Sequence, residues 1–356
     1  MNDQNQTSVV RCGYEILHNI ELSDGVISTA VINCIINGPS AVTALVFNSV
    51  VLYAILKETS LRSNANYLLA WLTVTDVLVG AIVQPLNIVA HIEILIEQRT
   101  CGINGTYDSV KFLCSMMSVM TALFISCDRC IAILFPFKYN RWVTATKIFI
   151  VLILAWLMWI ILVASWTLGL AGAYVQLVCV SVMIITFVIL SFIYAKMIKL
   201  AKQHQHQINS QQPSDQPPNQ DVARQRKALK TAVFTIGALM ACYLPIVIVV
   251  IVDIILNHRL SYSTRYIVAS FAETLVHINS TLNPIIYCLR SREIRAAVFK
   301  VLTVCENGQR IARSLSKITT TTRAQPAQQM DERPANLPSR VENNNADEVD
   351  EVQQKV

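Results

Sequence analysis

Charge is what this sequence has least of. Asp, Glu, Lys and Arg make up 15% of its 356 residues, against roughly 25% in an ordinary soluble chain. Hydrophobic residues reach 53% and mean hydropathy is +0.46, which excludes ordinary cytosolic material and a disordered chain. Glycine (10) and proline (11) are too few for a collagen-like repeat, and ten dispersed cysteines do not make a small disulfide scaffold. The net charge of +6 is too small and too scattered for a nucleic-acid binder. An enzyme is not supported either: no nucleophile–base constellation, metal-ligand spacing or phosphate loop appears, and six scattered histidines build no site. Nothing in these residues calls for a cofactor.

What the sequence has instead is long apolar runs. Gly25–Leu56, Phe112–Cys127, Ile148–Trp166, Ala171–Ala195 and Thr231–Val252 contain no Asp, Glu, Lys or Arg; Ala65–Ala90 contains only Asp76, and Ile267–Leu289 only Glu273. About 20 apolar residues at ~1.5 Å per residue cross a ~30 Å hydrocarbon core. Seven segments meet that length, the third once its flanks are included, and lipid forces each to be helical by offering no partner to backbone N–H and C=O groups. The expected fold is an all-α membrane protein, a seven-helix transmembrane bundle. Residues 1–26 form an N-terminal segment, 27–289 the bundle, 290–305 a short amphipathic eighth helix on the membrane surface, and 306–356 a polar, disordered cytoplasmic tail.

Lys and Arg set the orientation. The connections after the first, third and fifth spans and the segment after the seventh carry sixteen of them, among them Lys57, Arg62, Lys138, Arg141, Lys147 and Lys196; the opposite side carries Arg11, Arg99, Arg259 and Arg265. The N-terminus is expected outside and the C-terminus inside. Residues 1–24 lack the apolar core of a cleavable signal, so the first span would direct insertion. Asn5 and Asn104 head glycosylation sequons on the outer side. The Gln- and Pro-rich stretch 203–222 reads as a cytoplasmic loop. Cys305, just past the amphipathic helix, is either a palmitoylation site or a free thiol. In the tail, Ser314, Ser316, Thr319, Thr320, Thr321 and Thr322 form a hydroxyl cluster whose phosphorylation would turn a basic segment anionic.

Charged groups inside a bilayer are costly and normally face the bundle; here they are Asp76, Lys111, Asp128, Arg129 and Glu273. Proline kinks accompany them at Cys242-Tyr243-Leu244-Pro245 and Asn283-Pro284-Ile285-Ile286-Tyr287. Kinked helices beside an Asp-Arg pair suggest a bundle with two arrangements, as in a receptor, a transporter or a channel. The absence of an inverted repeat weighs against the transporter.

The residues Asn48, Leu72, Asp76, Asp128-Arg129, Trp156, Tyr194, Cys242, Pro245 and Asn283-Pro284-x-x-Tyr287 fall in order on seven spans. In this, residues 27–305 resemble the rhodopsin-like (class A) G-protein-coupled receptors. The resemblance implies a multi-pass plasma-membrane receptor that converts binding of an extracellular small molecule, lipid or peptide into activation of a heterotrimeric G protein; the rival reading is an ion-coupled transporter or channel. Its switch would comprise Asp128, Arg129, Tyr194, Tyr243, Pro245, Asn283, Pro284 and Tyr287. Asp76, Ser118, Asn279, Ser280 and Asn283 match the family's pocket for an allosteric Na+, with a water-filled polar network as the alternative. Receptor kinase and arrestin would act on the tail, and membrane lipid on the eighth helix.

Departures from the family pattern mark the ligand side. Tyr243 replaces the usual tryptophan, Cys130 follows Arg129, and the fifth span lacks its proline. Asn104 stands where the third-helix disulfide cysteine would fall; Cys101 lies three residues earlier, to pair with Cys12 or Cys179 or to stay free. Lys111 occupies the place of the aspartate of amine receptors, and His277 that of the retinal lysine of opsins, which argues against a typical monoamine or a retinal. By helical rise Lys111 and Glu273 should lie at one depth, each seven residues outside a serine of the Asp76 cluster. The candidate pocket is Asp108, Lys111, Ser115, Tyr243, Glu273 and His277. Lys111 would either meet an anionic or carbonyl group of the ligand or close a bridge to Glu273.

Overall fold

The computed structural model describes residues 20–98, 100–168, 178, 181–196, 198–199, 220–256 and 259–303. The chain divides into two units, Met1–Val304 and Cys305–Val356, and the second lies outside the described residues. The described part is helical: α1 Asp24–Lys57, α2 Asn64–Leu95, α3 Cys101–Leu134, α4 Pro136–Trp142, α5 Ala145–Thr167, α6 Ser181–Lys196, α7 Gln220–Ile255, α8 Tyr262–Arg290 and α9 over 292–303. Six spans coincide with expected apolar runs over their full length, and α6 with the second half of the fifth run. In the orientation that the basic residues predict, the turn at 96–97 marks the outer end of α2.

The lipid argument explains which faces are buried. On α1 the buried positions recur every three or four residues, Val26, Ala30, Asn33, Asn37, Ala41, Ala44, Asn48 and Val51 among them, while Ile35, Val42, Val46 and Phe47 are exposed. On α5 the exposed residues include Ile150, Ile153, Leu154, Leu157 and Ile161, and the buried Trp159 packs against Met116 and Met117 of α3. Among the described residues, five helices (α1, α2, α3, α5 and the C-terminal part of α7, Val233–Ile255) are long and apolar enough to cross a membrane. α8 is long enough at 29 residues but too polar, because Ser270, Thr274, His277, Asn279, Ser280 and Asn283 are buried inside the bundle.

Three local features depart from plain helices. The α2 backbone widens into a π turn at Val79–Val83 before Pro85, whose ring nitrogen has no hydrogen to donate to the regular bond of a continuing helix. Gly80 sits in that turn against α1; a Cβ there would lie 2.7 Å from Leu45 N and 2.8 Å from Ala41 O. α7 and α8 run through Pro245 and Pro284. α3 is 34 residues long, well beyond the apolar run at its centre, because its charged ends are paired rather than solvated. α9 buries Ile294, Ala297 and Val301 against Val51, Ala54 and Ile55 of α1, and Lys300 reaches Glu58 at 2.8 Å.

Candidate functional site

At the inner end of α3, Asp128 is 4% exposed and holds Arg129 through a two-point ion pair, Nε to Oδ2 at 2.9 Å plus a contact from the terminal nitrogen. The other carboxylate oxygen accepts the Tyr139 hydroxyl at 2.7 Å. Tyr139 lies on α4, outside the spans; burial first, and then its bond to Asp128, push its phenol up to about 12, so it remains a donor at neutral pH. Sequence reading supplied Asp128 and Arg129 and missed Tyr139, though eleven residues of helix and turn separate the two partners. Tyr194 of α6 lies over Gly237 of α7, where a Cβ would meet its hydroxyl at 3.1 Å. Tyr287 is fully buried between α1, α2 and α9. Tyr243 is 3% exposed, packs on Phe187, and donates a long 3.4 Å bond to the Ser115 carbonyl.

Midway through the bundle, Asp76 is fully buried. Asn283 donates to its Oδ2 at 2.8 Å, while its Oδ1 accepts no hydrogen bond; Asn279 Oδ1 and Asn283 Oδ1 are buried in the same condition. Asn48 joins α1 to α8 by donating to the Ser280 carbonyl at 2.9 Å. Ser118, of the expected set, donates its hydroxyl to Thr75 of α2 at 3.2 Å. Unpaired hard oxygens around one carboxylate are the donor set of a small cation such as sodium, so the residues fit that group.

The outer half carries the densest charge. Lys111 Nζ lies 2.6 Å from Asp108 Oδ1 and 2.7 Å from Glu273 Oε1, at the common depth that helical rise predicts. It stands 4.5 Å above the Tyr107 ring, whose hydroxyl donates to Glu273 Oε2 at 2.9 Å and accepts from Asn87 at 2.7 Å. His277, also of the expected pocket, faces Asn37 of α1 through Nδ1 at 3.2 Å and meets the Tyr107 ring edge to face.

Two further polar assemblies escaped sequence reading. Between α1, α2 and α8 runs a buried seam in which Asn37 donates to Thr274, Thr274 to Asn33, and Gln84 to Ser40, while Ser40 meets Thr281. Its signal was present: Asn33, Asn37, Ser40 and Asn48 lie on one face of an apolar run, as do Gln84, Asn87 and His91. At the outer end, Glu93 of α2 accepts from Thr100 N at 3.1 Å, from the Thr100 hydroxyl and from Asn104 Nδ2 at 2.9 Å. An acid at the start of α3 satisfies orphan backbone donors and the positive helix end. Asn104, 6% exposed, thus spends on Glu93 the very nitrogen that a glycan would need, which opposes its expected glycosylation. Asn5, Cys305 and the hydroxyls at Ser314, Ser316 and Thr319 to Thr322 lie outside the described residues, as do Cys12 and Cys179.

Known proteins match the chain along this bundle. Residues 47–173 and 170–287 match the family described as 7 transmembrane receptor (rhodopsin family). The chain is 28% identical to trace amine-associated receptor 7f of Mus musculus over 75% of its own length and 80% of that protein's. It is 28% identical to trace amine-associated receptor 13c of Danio rerio over 74% and 84%, and 24% identical to adenosine receptor A2b of Gallus gallus over 74% and 86%. With the family match spanning more than half the chain and the paired Asp128–Arg129 and Asp76–Asn283 in place within it, the chain belongs to the rhodopsin family of seven-transmembrane receptors.

Proposed function

We propose that this receptor, with its N-terminus outside the cell, converts binding of an extracellular ligand into nucleotide exchange on a heterotrimeric G protein. The observation that carries the reading is the Asp128–Arg129 pair, closed by Tyr139, at the inner end of α3. Releasing Arg129 frees a fixed cation at the inner face, where proline-kinked α7 and α8 allow a second arrangement. The ligand sits at the outer end against Lys111, Asp108 and Glu273; a typical monoamine seat is missing at Lys111, yet two relatives are named for trace amines. Asp76, with Asn279, Ser280 and Asn283, would hold a sodium ion that stabilises the resting arrangement. Receptor kinase and arrestin act on the phosphorylated tail in this reading.

The test separates receptor from transporter. Purified protein in vesicles should accelerate GTPγS uptake by an added G protein without carrying ion flux across the vesicle wall. Ion flux without acceleration of exchange would establish the rival.

A further inference from the structure

In the outer cluster two carboxylates and an aromatic ring hold the ammonium of the protein's own Lys111. Two carboxylates, Asp108 and Glu273, converge on one nitrogen at 2.6 and 2.7 Å, and the Tyr107 ring lies beneath it at 4.5 Å. Charged acceptors on an aromatic face are the set that recognises an organic cation. The three charged side chains are 13 to 23% exposed, dry enough to strengthen the pairing and open enough to be reached. Beside Tyr107, Asn87 Oδ1 and His277 Nε2 are buried with no hydrogen-bond partner.

Building on the receptor reading above, we infer that the ligand is an organic ammonium that takes Glu273 from Lys111. An ammonium exchanges like for like at Glu273, leaving Lys111 on Asp108, its neighbour one turn away on the same helix. An anion would have to displace two carboxylates from Lys111 and then lie beside them, a like-charge contact. The position of amine-receptor aspartate is held here by Lys111, and the negative charge stands one turn outward at Asp108 and across the bundle at Glu273. Glu273 is also what ties α8 to α3, through Lys111 and Tyr107. Its capture by a ligand opens that tie on the helix that carries Asn283 and Pro284, which joins ligand binding to the switch. Lys111 is a tethered competitor, present at an effective concentration on the order of millimolar, so its removal strengthens amine binding.

The probe pair is phenethylamine and phenylpropionate, alike in shape and opposite in charge, read by the thermal unfolding of purified receptor. Phenethylamine should raise the Tm of the wild type, act at concentrations about tenfold lower or less on Lys111→Met, and lose its effect on Glu273→Gln. Lys111→Met with Asp108→Asn, which leaves a single carboxylate, serves if Lys111→Met alone does not fold. Stabilisation of the wild type by phenylpropionate that Lys111→Met abolishes would overturn the inference, as would an amine effect untouched by Glu273→Gln or absent from all variants. GTPγS exchange by the wild-type receptor without added amine fails only if the receptor reading fails, so the two outcomes stay distinct.

Discussion

Single residues decide how closely these helices approach. Gly80 has no room for a side chain, with Leu45 N and Ala41 O of α1 both under 3 Å from where a Cβ would be, whereas Gly38 has nothing within 4 Å. Gly80→Ala should therefore lower stability by about 1–3 kcal/mol through overpacking against rigid backbone, while Gly38→Ala should be neutral or stabilising by about 0.5–1 kcal/mol through reduced backbone freedom. Thermal unfolding of the two variants side by side checks the contrast. Asn104 yields a covalent prediction from its bond to Glu93. In an Asn5→Gln variant expressed in a glycosylating cell, deglycosidase treatment should leave the gel mobility unchanged.

At the scale of elements, polar contacts outside the charged residues fix which helices stay together. Glu93 fastens the start of α3 to α2 at the place where the family pattern would put a disulfide cysteine. Glu93→Gln keeps the shape but loses the charge facing the helix end and leaves Asn104 and Thr100 poorly paired, a loss of about 1–3 kcal/mol. Asn37→Leu should cost about as much or more, since it takes the Nδ1 partner from His277 and one bond each from Thr274 and Gln84 in the dry seam. Both are read from the thermal midpoint, with radioligand-free detection of folded protein by gel filtration. These assemblies also mark what the sequence did not make plain. Seven spans were legible because lipid permits only helices, and the run lengths gave their centres. The ends of α3 were not, because Asp108, Lys111, Asp128 and Arg129 interrupt the apolar run and only their pairing keeps the helix going. The Lys111–Glu273 pair was legible from rise alone, whereas the Asn33–Asn37–Gln84 seam was hidden because uncharged polar residues barely disturb a hydropathy profile.

Across the whole molecule, polar pairs stand at three depths: Lys111–Glu273 joins α3 to α8 outside, Asp76–Asn283 joins α2 to α8 midway, and Asp128–Arg129 closes the inner end of α3. On the proposed function, a change at the outer end reaches the inner end through shifts of packed helices rather than through any single contact. On the proposed function, the inner Asp128–Arg129 pair restrains a catalyst of nucleotide exchange. The most direct test is the rate of GTPγS uptake by purified heterotrimeric G protein in vesicles holding wild type, Asp128→Asn or Arg129→Ala receptor at equal folded amounts. Asp128→Asn should exceed the wild type severalfold in the absence of ligand, and Arg129→Ala should fall to the rate of the G protein alone. Equal rates in all three preparations would contradict the account.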